Sequence, residues 1–307
     1  MKILITGCAG YLGQVLYPFL KKKHEVKGMD CFLYNQSLAI KDEIMQGDIT
    51  SVKDMYRMTK GMDVVIALAG IVGDPACGLN EEETKIINIE STKLLVDACE
   101  VNKVKQLIFA SSCSVYGASP KVVTEYSPLN PLSLYAISKV ESEKIIMERC
   151  QTVQPLILRF ATLFGWSPRM RFDLVVNIMT AMAIKEGKII VNGGEQWRPL
   201  VHLRDVCKAI SRFIDKEPAS LIYNLVGENY KIKEIAQAVA DETGAEIVEK
   251  KDTFDRRDYN AISHKLDFDL KISVRQGVEE IKEHFEKGEY DDYKDDKYYN
   301  IKILQTL

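Results

Sequence analysis

The sequence lacks several features that mark whole classes of protein. Its seven cysteines and four histidines are scattered over 307 residues without a Cys-x-x-Cys pair, so neither a disulfide framework nor a bound metal is predicted. No apolar run approaches the roughly 18–20 residues that a transmembrane helix needs. No basic segment precedes an apolar one at the start of the chain, so we expect no signal peptide. Reduced thiols fit a cytoplasmic protein.

An excess of one charge is also missing. Lys and Arg number 41, Asp and Glu number 44, and the net charge is −3. This balance excludes nucleic acid and anionic membranes as expected main partners, because both select strongly basic surfaces. The chain is 46% hydrophobic and long enough to bury a core unaided. At roughly 150 residues per domain, about two structural units are expected.

Short apolar segments alternate with helical patterns from the N-terminus onward. Apolar residues spaced three and four apart predict helices, and short apolar runs next to glycine predict fully buried strands. The strands are expected at 2–6, 25–30, 63–69, 106–110 and 156–160, and the helices at 11–23, 81–101 and 134–150. This order predicts an α/β fold, a Rossmann-type doubly wound parallel sheet with helices on both faces.

The rhythm changes after residue 165. A loop over 166–173 precedes a helix at 174–185, a strand at 189–191, a helix at 206–214 and a strand at 222–226. We expect a first domain over 1–165, to which 199–226 returns, and a smaller C-terminal mixed α/β region formed by 166–198 and 227–307. The segment 286–299 is rich in charge and tyrosine and is interpreted as a surface arm or subunit contact.

The turn after the first strand carries three glycines, at Gly7, Gly10 and Gly13. In a dinucleotide-binding turn the first glycine allows the tight bend, the second allows a pyrophosphate to approach, and the third allows close packing of helix on sheet. Tyr11 and Leu12 lie at the start of the helix, whose free N–H groups favour phosphate. A glycine pattern alone is also typical of a flexible loop, but the flanking strand and helix favour a dinucleotide.

Asp30 ends the second strand, where an acidic residue hydrogen-bonds the adenosine ribose. Its charge repels a 2′-phosphate, so NAD is predicted over NADP. The alternative is a turn residue at a strand end. Leu68 and Ala69 are further candidate cofactor contacts. Asp48 and Ile49, which belong to a Gly-Asp-Ile turn, are weaker candidates.

Tyr135 and Lys139 lie one helical turn apart, on the same face of a predicted helix. A tyrosine with a pKa near 10 is a poor base at neutral pH. A nearby ammonium and a cationic nicotinamide would lower that pKa, and the phenolate could then take a proton from a hydroxyl as hydride leaves. Ser112 follows a strand at the ligand-binding edge and could orient the reacting oxygen. A Tyr–Lys pair alone is more often a solvated helix face.

Together these residues resemble the extended short-chain dehydrogenase/reductase family, in particular its NAD-dependent nucleotide-sugar epimerases and dehydratases. The resemblance implies that the first domain holds NAD and the second region holds a nucleoside-diphosphate sugar. It implies that Tyr135 is the base, Lys139 binds the nicotinamide ribose and Ser112 contacts the sugar. It also implies a homodimer, formed through the helices 81–101 and 134–150. The motifs that carry it are the glycine turn, Asp30, 111–117, Tyr135 with Lys139, 158–160 and 198–205.

The same resemblance implies how the substrate is held. Arg198 would contact the diphosphate, assisted by Arg256 or, in preference, Arg257, since fixed guanidinium groups suit paired phosphate oxygens. For Arg169 and Arg171 a surface ion pair is an equally good interpretation. The other candidate substrate contacts are Ser114 and Thr162, the latter where relatives often have Asn.

One departure from the family narrows the reaction. The 4,6-dehydratases carry an acidic residue where this chain has Cys113 and Ser114, and neither is a good acid for expelling a hydroxyl. Dehydration and 3,5-epimerisation with reduction are therefore less favoured. Cys113 could be a base, as in fucose-synthase-like enzymes, or a small buried hydrophobe.

Oxidation of the sugar at C4 remains, as a 4-epimerase or a 4-dehydrogenase in the synthesis of surface-polysaccharide sugars. The segments 196–199 and 255–260 resemble a branch that contains GDP-heptose 4-dehydrogenases. Two hypotheses of other classes are a non-catalytic dinucleotide-sensing regulator and a structural subunit. The presence of both Tyr135 and Lys139 counts against the sensor.

Overall fold

A computed structural model describes residues 1–34, 43–250 and 257–306. Its strands are β1 (Lys2–Thr6), β2 (Glu25–Asp30), β3 (Ile44–Gln46), β4 (Val64–Ala67), β5 (Gln106–Ser112), β6 (Gln154–Phe160), β7 (Thr162–Phe164), β8 (Lys188–Asn192), β9 (Trp197–His202), β10 (Ile222–Leu225), β11 (Glu228–Lys231) and β12 (Glu246–Lys250). Its helices are α1 (Gly13–Lys21), α2 (Val52–Thr59), α3 (Asp74–Cys77), α4 (Glu81–Lys85), α5 (Ser91–Val101), α6 (Leu134–Arg149), α7 (Val175–Glu186), α8 (Leu203–Asp215), α9 (Ile232–Thr243), α10 (Val274–Glu286) and α11 (Asn300–Leu304).

In the described part of the chain, the central sheet has seven parallel strands in the order β10-β6-β5-β4-β1-β2-β3. Successive residues of each strand enter opposite cores. In β1, Ile3 and Ile5 pack on the side of α1 and α8, whereas Leu4 packs on the side of α2 and α5. A parallel sheet covered on both faces needs this two-sided apolar character. The predicted doubly wound fold is confirmed.

The second region is a smaller mixed α/β layer. One sheet has the order β11-β9-β7, the strands β12 and β8 form a second, and α7, α9 and α10 enclose an apolar cluster beside them. Only Ala161 separates β6 from β7, so the chain passes from the central sheet into the small sheet at the carboxyl end of β6. β10 returns to pair with β6, whereas β9 lies in the small sheet.

The predicted continuous helix over 81–101 is interrupted. A π-helical turn, Ile86–Glu90, separates α4 from α5, and such turns often occur at functional sites. Asn88 points from this turn into the protein, where its amide donates to the Ile71 carbonyl oxygen at 2.9 Å and to Ser138 Oγ at 3.2 Å. Its Oδ1 accepts the Ile71 N–H at 2.9 Å. The turn therefore fixes the loop after β4 against α6.

The segment 286–299, interpreted as a surface arm or subunit contact, is not a free arm: its charged residues are exposed, but its tyrosines pack onto the protein. Tyr290, Tyr293 and Tyr298 are buried, and all three meet the ring of Phe172 edge-on, with centroids 5.0–6.1 Å apart. Edge-to-face packing of this kind stabilises aromatic clusters. The tail is bound to the body of the protein because its tyrosines complete an apolar core.

Among the described helices, none is long and apolar enough to cross a membrane.

Candidate functional site

A cavity of about 660 Å³ opens at the carboxyl edge of the central sheet. This is where ligands bind in open parallel sheets. Every residue predicted to form the site lines this cavity: Gly7, Gly10, Tyr11, Leu12, Gly13, Asp30, Asp48, Ile49, Leu68, Ala69, Ser112, Ser114, Tyr135, Lys139, Thr162, Arg198 and Arg257. Arg256 lies outside the described residues.

The glycine turn has the close packing that its spacing predicts. Gly7 has φ +73°, and a Cβ there would lie 2.6 Å from the Ala69 nitrogen. A Cβ on Gly13 would lie 2.5 Å from the carbonyl oxygens of Gly7 and Cys8. At Gly10 the nearest atom is the Gly7 oxygen at 3.1 Å, so this glycine leaves room on the cavity side. The turn is thus a cradle that side chains would fill.

Asp30 joins the end of β2 to the glycine turn. Its Oδ2 accepts the Ala9 N–H at 2.9 Å and its Oδ1 accepts the Phe32 N–H at 2.8 Å. Each carboxylate oxygen keeps a further acceptor position for a ligand hydroxyl. Burial raises the pKa of Asp30, against the effect of these N–H donors. Asp48 is more exposed, and its Oδ1 accepts from the N–H and hydroxyl of Thr50.

The helix α6 brings Tyr135 and Lys139 to the end of β5. Ser133 caps this helix by accepting the Ala136 N–H at 3.2 Å. The Ser112 side chain lies close enough to Tyr135 to lower the pKa of its phenol. Lys139 Nζ donates to the carbonyl oxygen of Ala110 at 2.7 Å and lies 5.8 Å from the centre of the Tyr135 ring. The structure therefore places the serine, the phenol and the ammonium in one group.

The expected lowering of the tyrosine pKa is not found in the protein alone. Burial raises the pKa of Tyr135 to about 12, although the nearby Ser112 side chain opposes this. Burial also lowers the pKa of Lys139 to about 8. The sequence indicates which groups are neighbours, but burial is the largest influence on the pKa of each of them. A cationic ring in the cavity would be needed to shift the phenol downward.

Two predicted arginines, Arg198 and Arg257, line the same cavity as Tyr135. Arg198, on β9, donates to its own neighbour's carbonyl, that of Trp197, at 2.7 Å and also to the Arg257 carbonyl. The Arg257 guanidinium lies 3.2 Å from Asp74 Oδ2, and Asp74 Oδ1 accepts the Ser133 hydroxyl at 2.6 Å. Sequence reasoning missed Asp74, which has no distinguishing pattern around it.

The two residues at the position of the dehydratase acid differ in their surroundings. Cys113 is fully buried, its Sγ donates to the Arg159 carbonyl at 3.3 Å, and it does not line the cavity. Burial raises the pKa of its thiol, so the hydrophobe interpretation fits better than the base. Ser114 Oγ is buried without a hydrogen-bond partner in the described structure, and it lines the cavity.

Arg169 and Arg171 also line the cavity. Arg171 forms a two-point pair with Asp173, with distances of 2.9 and 2.8 Å. Arg169 is 1% exposed, so the surface ion pair is the wrong interpretation for it. Its Nη2 donates to Asn300 Oδ1 at 2.5 Å. Asn300 was missed because nothing in the sequence joins the tail to this loop.

The residues present fit a dinucleotide. The glycine cradle suits a pyrophosphate, and Asp30 retains acceptor positions for a ribose. Ser114 Oγ, a predicted substrate contact, is a buried polar atom without a partner in the described chain. Buried polar atoms normally have partners, so this hydroxyl indicates a ligand position.

The sequence pattern of the NAD dependent epimerase/dehydratase family matches residues 3–226. The chain belongs to this family. Membership confirms the predicted family, NAD as the cofactor, and an enzyme of the nucleotide-sugar epimerase/dehydratase group.

Individual relatives and structures agree with this membership. The uncharacterized UDP-glucose epimerase YtcB of Bacillus subtilis is 30% identical over 249 residues, which cover 76% of each chain. A UDP-glucose 4-epimerase of Lactobacillus helveticus is 26% identical, over 80% of this chain and 83% of its own. The solved structure of MoeE5 with UDP-glucuronic acid and NAD has a TM-score of 0.83 at 24% identity, covering 94% of this chain and all of the other. At this identity the structure supports the fold.

Proposed function

We propose that this enzyme oxidises a nucleoside-diphosphate sugar at C4, as a 4-epimerase or a 4-dehydrogenase. The observation that carries the proposal is the convergence of Ser112, Tyr135 and Lys139 beside the glycine turn, in one cavity that also contains Arg198 and Arg257. The relatives named as UDP-glucose epimerases support the same class of substrate. Within the proposal, residues 1–165 with 199–226 hold the cofactor, and 166–198 with 227–307 hold the sugar nucleotide.

The residues of the chain have distinct tasks in this reaction. Bound NAD supplies the hydride acceptor. Tyr135 takes the proton of the 4-hydroxyl, so that the carbon loses a hydride and the oxygen a proton as the ketone forms. Ser112, which lies beside Tyr135, holds the same sugar oxygen. Lys139 contributes positive charge and binds a ribose hydroxyl.

The two outcomes differ in what happens to the ketone. In the epimerase the sugar turns and regains hydride on its other face, with the proton returned by Tyr135, so no reduced cofactor accumulates. In the dehydrogenase the ketone leaves and one reduced cofactor forms per sugar. Arg198 and Arg257 bind the diphosphate at a fixed point in both cases, which leaves the sugar ring to move.

The position of Cys113 argues against dehydration. Elimination of a sugar hydroxyl needs an acid beside it, and the buried thiol of Cys113 faces the Arg159 carbonyl instead. Asp74 is a carboxylate that lines the cavity, but Ser133 and Arg257 bind its two oxygens.

The proposal extends to assembly, location and pathway. The two segments predicted to form the dimer, 81–101 and 134–150, carry three apolar side chains that are 43–45% exposed: Ile86, Ile137 and Met147. These side chains support a homodimer through this face. Sedimentation at equilibrium gives the mass of the assembly.

The cysteines of the described chain are unpaired, which supports a cytoplasmic location. A role in making polysaccharide sugars, by isomerisation or net oxidation, follows from the substrate class.

The test is incubation of the enzyme with NAD and a panel of UDP-, GDP- and dTDP-sugars. Proton NMR detects a 4-epimer or a 4-ketone, and the absorbance of reduced nicotinamide measures net oxidation. Tyr135→Phe should retain NAD and lose turnover by 10²–10⁴-fold, roughly the contribution of a positioned base. Tyr126→Phe is the matched control, since Tyr126 is 74% exposed. Turnover in Tyr135→Phe equal to that of the wild type would refute the mechanism.

A further inference from the structure

Arg169 is a buried cation that lacks a carboxylate partner among the described residues. It is 1% exposed and lines the cavity. It contacts Asn300, through Nη2, and the Tyr34 ring, whose centre lies 4.3 Å from the guanidinium carbon, while Asp30 and Asp173 act on it only from beyond ion-pair distance. Its Nε is buried without a hydrogen-bond partner. Because a buried charge is costly unless it is paired, this guanidinium is suited to an anion that arrives with a ligand.

The loop that carries Arg169 is attached to the glycine turn. Ser167 Oγ donates to the Tyr11 carbonyl at 2.7 Å, and the Tyr11 hydroxyl donates to the Gly165 carbonyl at 2.5 Å. Ser167 Oγ also accepts the Arg169 N–H at 3.2 Å. These bonds hold Arg169 beside the turn that cradles a pyrophosphate. Arg171, two residues further, is neutralised by Asp173.

The second support of Arg169 comes from the C-terminal strap, the segment 287–306. Asn300 is 2% exposed and begins α11, and its Oδ1 accepts from Arg169 Nη2. Leu304, one turn later, packs against the buried cluster of Ile71, Ala76 and Cys77 and lines the cavity. The tyrosines around Phe172 fix the strap to the protein. The strap lies beyond the residues matched by the family pattern.

We propose that Arg169, positioned by Asn300 of the C-terminal strap, binds the diphosphate of the dinucleotide that lies on the glycine turn. Asn300 accepts one guanidinium N–H without neutralising it, and thereby directs the remaining donors and the full charge to the ligand. The strap is thus a wall of the cofactor site, with Asn300 as a positioning residue. The inference rests on the cofactor of the proposed function.

The decisive variant is Asn300→Asp. It keeps an acceptor oxygen against Arg169 Nη2 but adds a charge that competes with the diphosphate. Calorimetric titration of the full chain should show at least a tenfold higher Kd for NAD and ADP-ribose, an unchanged Kd for adenosine, and a melting temperature no lower than that of the wild type. Asn80→Asp adds the same charge at an exposed helix cap and should leave every value unchanged. A purely structural Asn300 would leave the NAD affinity of Asn300→Asp unchanged, which would overturn the proposal.

Arg169→Met provides an independent readout. Removal of an unpaired buried charge should leave the melting temperature of the ligand-free protein equal or higher, while NAD affinity falls at least tenfold. A lower melting temperature with unchanged NAD affinity would overturn the proposal. Titrations with UDP and GDP distinguish the two diphosphate sources, and weakened UDP or GDP binding with intact NAD binding would refute the assignment to the dinucleotide. A wild-type protein that binds no NAD would instead refute the proposed function itself.

Discussion

Lys139 donates a hydrogen bond of 2.7 Å to the carbonyl oxygen of Ala110, the last position but two of β5. Lys139 is 6% exposed, no carboxylate forms an ion pair with its ammonium in the described structure, and burial lowers its pKa to about 8. The side chain is therefore held at the end of the sheet in a state that the folded protein disfavours. A role of Lys139 in the site explains its burial better than a contribution to folding stability does.

The first prediction concerns how the destabilisation caused by burying the charged Lys139 depends on pH. Between pH values of about 8 and 10.5 the unfolded chain binds a proton at Lys139 that the folded chain does not. The stability of the wild type relative to Lys139→Met should therefore increase with pH across this range, by about 3 kcal/mol at 1.36 kcal/mol per pKa unit. Urea unfolding of both proteins at a series of pH values measures the difference. Lys53→Met, at an exposed position, is the control, and parallel curves for wild type and Lys139→Met would contradict the prediction.

The second prediction concerns Asp30 and the choice of dinucleotide. Asp30→Ala removes a charged acceptor, and with it the repulsion of a 2′-phosphate. We expect the Kd for NAD to rise about 10–100-fold, the range for a hydrogen bond to a charged group, and the preference for NAD over NADP to decrease. Fluorescence titration with both dinucleotides measures this. Asp241→Ala, exposed on α9, controls for net charge. An unchanged ratio of the two affinities would show that another residue selects the cofactor.

The parts of the site that sequence analysis predicted are local in the chain. The glycine turn lies between a strand and a helix of one unit, and Tyr135 and Lys139 share one helix, so spacing alone fixes their neighbours. The contact between Arg169 and Asn300 joins residues 131 positions apart. An arginine in a polar loop and an asparagine in a charged tail carry no local sign of burial. The π-helical turn at Ile86–Glu90 and the high pKa of Tyr135 likewise depend on packing between distant elements.

The third prediction concerns Gly13, where α1 meets the glycine turn. A Cβ there would lie 2.5 Å from two carbonyl oxygens, and neither backbone segment can move away without distorting the cradle. Gly13→Ala should cost about 3 kcal/mol of unfolding free energy, the upper part of the usual range for overpacking, and abolish NAD binding. Gly78→Ala is the matched control, because its Cβ would meet its nearest neighbour at 3.5 Å. Thermal melts and NAD titration compare the two, and equal behaviour would refute the packing argument.

The last prediction concerns a buried ion pair beneath the catalytic group. Arg159 on β6 binds Glu143 at two points, with distances of 2.9 and 2.6 Å. Glu143 follows Lys139 by one helical turn, and its Oε1 also accepts the Ser111 hydroxyl at 2.5 Å. The side chains of the pair are only 4% and 1% exposed. The pair therefore connects α6 to β5 and β6 directly behind the reacting residues.

Breaking one side of such a pair leaves an uncompensated buried charge, which costs about 3–5 kcal/mol. Glu143→Leu and Arg159→Met should each lower the free energy of unfolding by about this amount, whereas the double variant should lose much less than the sum. Urea unfolding of the four proteins gives the coupling energy. Additive losses would show that the two side chains act independently. Because a neutral double variant restores the fold without the charges, its turnover then separates the two contributions: activity near that of the wild type means that the pair only anchors α6, and activity that stays low means that its charges also orient Lys139.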